Sequence, residues 1–221
     1  MIFSRKRAGG ARHARDERTT EVLDSYDAEE STPAAPSRGP YDVSEAPDMP
    51  RLDLGSLQIP AVPEVEVRVQ ADPQGVIQQV VLVHGENALQ LGVFAAPRSE
   101  GIWDEVREEI RQSLINDGAA ARDVEGEYGT ELHARVRTPD GPTDLRFVGI
   151  DGPRWMVRGV YQGAAATDPT AAGPLAICLD GLVVDRGHEA KPVREPLPLR
   201  LPREMAEQAT QENPAPGQRE A

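Results

Sequence analysis

Aromatic residues make up 4% of this 221-residue chain, and it has a single cysteine. One cysteine excludes an intramolecular disulfide. Cys178 stands in the apolar run "LAICLDGLVV", where a thiol reads as a small core side chain rather than a nucleophile. No run approaches the ~18–20 apolar residues of a membrane span. The basic start "MIFSRKRAGGARHAR" is followed by no apolar stretch of the kind a secretory signal carries, so the chain is expected to be cytoplasmic. Positive charge is also scarce: 24 Lys and Arg stand against 37 Asp and Glu, a net −13. That balance argues against non-specific DNA binding, which needs a basic surface, but leaves room for a local basic patch.

Catalytic and metal-binding patterns are missing too. The four histidines, His13, His84, His133 and His188, have no partner at metal-ligand spacing. There is no G-x-S-x-G, phosphate-binding loop or C-x-x-C. The carboxylates gather on a helix surface and in an acidic tract, where nothing points to the desolvation that acid–base catalysis requires. The expectation is a protein that is not an enzyme and needs no cofactor or metal.

What is present begins with charge blocks. Through Arg18 there are six basic residues; from Thr19 to Pro50 there are eight acids against Arg38 alone. Such a composition buries too little apolar surface to offset ordering entropy, so residues 1–50 read as a disordered charged tail. Thr19 and Thr20 follow the basic run and are candidate phosphorylation sites. Residues 204–221 read as a disordered polar tail, which leaves an α+β domain over 51–203.

Within that domain the hydrophobic period changes twice. "EVEVRVQ" (64–70), "VIQQVVLV" (76–83) and "ALQLGVFAA" (88–96) read as an antiparallel meander, with turns at "DPQG" and "HGEN". "SEGIWDEVREEIRQSLINDG" (99–118) then places Ile102, Val106, Ile110 and Leu114 four apart beside Trp103. This predicts a helix capped by Ser99 and ended by Gly118. A second meander follows in "ELHARVRT" (131–138), "TDLRFVGI" (143–150) and "RWMVRGVYQ" (154–162). "GPLAICLDGLVVDRG" reads as a short helix and a strand. In "VREPLPLRLP" the alternating prolines rule out a central strand, so Leu197, Leu199 and Leu201 should dock from an extended segment. The expected architecture is an antiparallel sheet of about six strands, two meanders around one long helix, with helices packed on one face.

The most site-like stretch is "FVGIDGPRWMVRGVYQG" (147–163), which crowds Asp151, Arg154 and Arg158 around a Gly-Pro step. Leu132, Ala134, Val136, Leu145, Phe147, Trp155, Val157 and Tyr161 are taken to point inward. Loops of four and three residues then set Val136 opposite Leu145 and Phe147 opposite Val157, and make Asp151 and Gly152 turn residues. The same register lines up Arg135, Arg146 and Arg158 on the outer face, with Ile150 and Met156 beside them. Like charges in such a row are unfavourable. They should be offset by the chain's own acids, by simple solvation, or by an anionic partner or nucleic acid; the apolar residues sharing that face also suit a homodimer surface. This face is the candidate partner-binding surface.

The stretches "LQLGVFAAPRSEGIWDEVREEI", "GIDGPRWMVRGVYQG" and "VREPLPLRLP" resemble an uncharacterised actinobacterial family of proteins. Its members tend to be encoded near a dUTP pyrophosphatase and an OB-fold protein. The element order is also similar to type III secretion chaperone-like and YbjN-like folds, whose members bind other proteins, often as dimers. The resemblance implies a non-enzymatic, chaperone-like adaptor with a protein partner. The alternative is an accessory factor of nucleic acid or nucleotide metabolism that uses the arginine-lined face.

Overall fold

A computed structural model describes residues 38–72, 76–139 and 141–201. The expected tail beyond 204, the tail residues before 38, Thr19 and Thr20 all lie outside the described residues. Arg38 to Pro50 precede the expected domain start at 51, yet they belong to the fold.

The elements in chain order are β1 (Tyr41–Asp42), β2 (Arg51–Asp53), β3 (Leu57–Pro60), β4 (Glu66–Ala71), β5 (Ile77–His84), β6 (Asn87–Ala95), α1 (Trp103–Asn116), β7 (Ala120–Gly126), β8 (Gly129–Thr138), β9 (Gly141–Gly152), β10 (Trp155–Gln162), α2 (Gly173–Gly181) and β11 (Val183–Val184). Seven strands form one antiparallel sheet in the order β4-β5-β6-β10-β9-β8-β7. The two meanders join where β10 returns beside β6, Trp155 facing Ala95 and Tyr161 facing Leu89. The fold class is α+β as expected, but β7 extends the large sheet beyond six strands. A second sheet, β1-β11-β3-β2, stands apart from it.

Helices cover both faces of the large sheet, not one. On one side α1 sets Ile102 and Trp103 against Leu132, Ala134, Phe147, Met156 and Val160. On the other, Leu175, Cys178 and Leu179 of α2 join Val80, Leu82, Leu89, Leu91, Trp155, Val157 and Tyr161. Trp155, Val157 and Tyr161 therefore point away from α1, opposite to Leu132, Ala134, Leu145 and Phe147. Strands buried on both faces lose the alternation that marks an inward side, and "WMVRGVY" is such a strand.

Cys178 is fully buried. Burial pushes its thiol from the ordinary 9.0 to about 11, in keeping with the core reading. The C-terminal segment docks as expected: Leu197 and Leu199 are buried. The Leu197 N–H donates to the Val93 carbonyl at 2.9 Å, and the Ile77 N–H to the Leu199 carbonyl at 3.1 Å.

The hairpins β8–β9 and β9–β10 each turn in two residues. Thr138 faces Gly141, so Ala134 lies opposite Leu145 and Val136 opposite Thr143. Gly152 faces Trp155, so Phe147 lies opposite Val160 and Ile150 opposite Val157. Asp151 and Gly152 are thus strand residues, and the turn is Pro153-Arg154. A change of one residue in loop length reverses which face a strand presents, and that reversal dismantles the expected arginine row.

Candidate functional site

The outcome for each arginine follows from this register. Arg135 faces Asp144 rather than Arg146. Its Nε and Nη2 donate to the two Asp144 oxygens at 2.8 and 2.7 Å, an intramolecular bidentate pair. That contact holds the Asp144 carboxyl below its ordinary range. Arg146 faces His133 and Tyr161. Arg158 faces Gly149 and Gly92. It shares the α1 side of β10 with Met156 and Val160, while Arg135 and Arg146 are on the other side. Among the described residues Arg158 has no ion pair; it lies over the Phe94 ring at 5.1 Å, and burial lowers its affinity for the proton. Met156 is 1% exposed and Ile150 partly buried. The residues named from sequence as one surface are therefore split between two faces.

A different basic surface replaces it. On the face opposite α1, β7 sets Ala120 beside Arg135 and Arg122 beside His133. A groove of about 410 Å³ runs over these strands, lined by Arg122, His133, Arg135, Asp144 and Thr167 among others. A hollow of about 510 Å³ adjoins it, sharing Ala120 and Arg135 and adding Arg137. Arg122 and Arg137 are exposed, and neither has an acid partner among the ion pairs of the described residues. β7 is the last strand of the sheet; among the described residues no strand pairs with its outer edge.

Behind the groove lies a buried polar cluster. Glu131 and Arg146 are 2% and 3% exposed. Glu131 Oε2 is 3.6 Å from Arg146 Nη1 and 3.5 Å from His133 Nε2. The Arg146 guanidinium stacks on Tyr161, 4.2 Å from the ring centroid. Burial pushes the Tyr161 hydroxyl well above its ordinary range. Glu131 is accommodated because residue 126 is glycine: a Cβ there would come within 2.1 Å of Glu131 Oε1. Glu131 Oε1, His133 Nε2, Arg146 Nε and Tyr161 OH make no hydrogen bond among the described residues. Sequence reading missed this group. The signal was available in Glu131 and His133 two apart on one strand, but assembling the cluster needed the register.

Of the cluster, only His133 reaches the groove, and no hydroxyl or thiol hydrogen-bonds to it among the described residues. Glu131 and Arg146 lie buried beside His133. Among the described residues, no group of three or more His, Cys, Asp or Glu is placed to hold a metal ion, and no helix is long and apolar enough to cross a membrane.

The fold and groove define an α+β domain with a two-faced antiparallel sheet and a basic edge. The chain belongs to the family described as Protein of unknown function (DUF3710), which matches residues 39–208. No curated protein matches it. Among solved structures it is similar to the solution structure of cyanobacterial PsbP (CyanoP) from Synechocystis sp. PCC 6803, at 14% identity and a TM-score of 0.38. That match covers 62% of this chain and 92% of the other, and is too remote to bear on the groove.

Proposed function

We propose that this protein is a non-enzymatic cytoplasmic adaptor that takes an acidic polypeptide segment on the basic face of β7, β8 and β9. The observation that carries the reading is a pair of arginines without an acid partner among the described residues, Arg122 and Arg137, flanking Arg135 along the groove and its adjoining hollow on a chain of net charge −13. On so acidic a molecule this patch offers local electrostatic complementarity to an acidic segment. The free edge of β7 adds main-chain donors and acceptors, so an extended peptide can pair there while its carboxylates meet the arginines. The resemblance to chaperone-like folds read from the sequence would point the same way, by analogy only.

Nucleic acid is the second reading, because the same arginines can neutralise phosphates. The residues lining the groove and the adjoining hollow include no Phe, Tyr or Trp. A single-strand binder uses such rings to stack bases, so the peptide reading is preferred.

Fluorescence anisotropy with a labelled glutamate-rich peptide and a labelled oligothymidylate separates the two. The peptide should bind, weaken with salt, and lose about tenfold or more in affinity, roughly 1.4 kcal/mol, when Arg122→Glu and Arg137→Glu are combined. Binding that ignores the double variant sinks the proposal. Tighter binding to the oligothymidylate replaces it with the nucleic-acid reading.

A further inference from the structure

A third cavity, of about 240 Å³, lies at the Pro153-Arg154 turn. Asp42 and Val43 close it on one side, and Asp185 to His188, just after β11, on the other. Three basic side chains belong to its lining: Arg154, Arg186 and His188.

Two carboxylates, Asp42 and Asp185, also belong to its lining, and each accepts hydrogen bonds from the chain. Asp42 Oδ1 accepts from the Ser44 N–H and hydroxyl, and Oδ2 accepts from Trp155 Nε1 at 3.2 Å. Asp185 Oδ1 accepts from the Gly187 N–H at 2.9 Å. Neither forms an ion pair with Arg154 or Arg186. Arg186 is 8% exposed. Its Nη1 donates to the Glu189 carbonyl at 2.5 Å, while its buried Nε makes no hydrogen bond. A buried guanidinium with no acid and an unused donor is costly unless something anionic meets it.

Arg154 adds a backbone observation. It follows Pro153 with φ +67°, the second central position of a turn that glycine or asparagine occupies with less strain. Glu64, which follows Pro63, has the same positive φ and lines none of the cavities described above, so the outlier by itself assigns nothing. What distinguishes Arg154 is the conjunction: a strained arginine and a buried arginine, neither with an acid partner among the described residues, and a cavity whose lining includes both.

We propose that this cavity binds a phosphate group, as inorganic phosphate or a small phosphomonoester. Guanidinium forks match phosphate oxygens in geometry and charge. The volume falls below the ~300–1,000 Å³ of pockets that hold drug-sized ligands, so it admits an oxyanion with a short carbon chain.

The test is calorimetric titration of the full chain with inorganic phosphate and with glycerol 3-phosphate, in sodium chloride at matched ionic strength. Saturable binding is expected, and the tighter of the two probes names the source of the phosphate. Arg154→Gly is the informative variant, since glycine suits φ +67° and the fold should survive, as circular dichroism would verify. It should bind about tenfold or more weakly. The Arg122→Glu, Arg137→Glu double variant, altered only in the groove, should bind phosphate as the wild type does. Absence of saturable binding, undiminished binding by Arg154→Gly, or loss in the groove variant instead would each overturn the proposal. None of these outcomes depends on whether the groove binds a peptide.

Discussion

Asp151 is the acid that made residues 147–163 look catalytic, and its contacts give it a structural task. Its two carboxylate oxygens accept the N–H groups of Ile102 and Trp103 at 2.8 and 3.2 Å. They therefore cap α1 from a neighbouring strand. Ile102, at the helix cap, has no side-chain capping bond, so Ser99 does not fill the role its spacing suggested. A carboxylate at a helix N-terminus satisfies orphan donors and opposes the helix dipole. The same contact helps place Trp103, whose ring lies over Gly149 so closely that a Cβ there would come within 2.0 Å. Asp151→Ala should lower stability by about 1–2 kcal/mol. Urea denaturation followed by Trp fluorescence measures it. An unchanged midpoint would mean that α1 holds its start without the cap, leaving Asp151 free for another role.

At the scale of elements, the C-terminal segment acts as a strap. It pairs briefly with β6 at Phe94–Pro196, with Val76 at Arg200, and with Gly55 at Leu199. It thereby bridges the large sheet and the loop between β2 and β3, and Arg194 reaches α1 through ion pairs with Glu105 and Glu109. Leu197, 3% exposed, is its deepest anchor. Leu197→Ala should cost about 2–5 kcal/mol; a loss below about 0.5 kcal/mol would show that the strap only rests on the surface. This segment was legible from sequence because proline constrains it so strongly. So were the two meanders and α1, whose periods of two and four residues are local properties. The register was not legible. Deciding between two-, three- and four-residue turns required knowing that β9 and β10 are buried on both sides, and "FVGI" and "WMV" carry apolar residues at consecutive positions. β1, β2 and β3 were hidden for another reason: two to four residues are too short to show a period. The basic groove fell between these cases. Arg135 was named correctly as a surface arginine, but Arg122 lies on β7, the strand of the large sheet that no hydrophobic pattern marked.

For the whole molecule, the consequence of that hidden sheet is where the domain begins. β1 pairs in parallel with β11, Tyr41 beside Val183, and the Tyr41 N–H donates to the Leu182 carbonyl at 2.8 Å. Arg38 contacts Asp180, Glu127 and Tyr128 at once, with Nε to Asp180 at 2.8 Å, so it joins the end of α2 to the β7–β8 turn. Asp42 supplies the acceptor for Nε1 of Trp155, a side chain 1% exposed. A chain starting at 51, the boundary composition suggested, loses all three contacts. It leaves a buried indole N–H without a partner, a loss of about 1–3 kcal/mol by itself. The Arg38 contacts add little, since they are solvent-screened, and the β1 hydrogen bonds about 1 kcal/mol more. Against a typical total of ~5–15 kcal/mol, a fragment of residues 51–201 should unfold at a clearly lower urea concentration than one of residues 38–201. The longer fragment should match the full chain. If both fragments share the full chain's midpoint, the β1 segment is dispensable and the boundary belongs at 51. If both fall short of it, residues before 38 or after 201 also stabilise the domain.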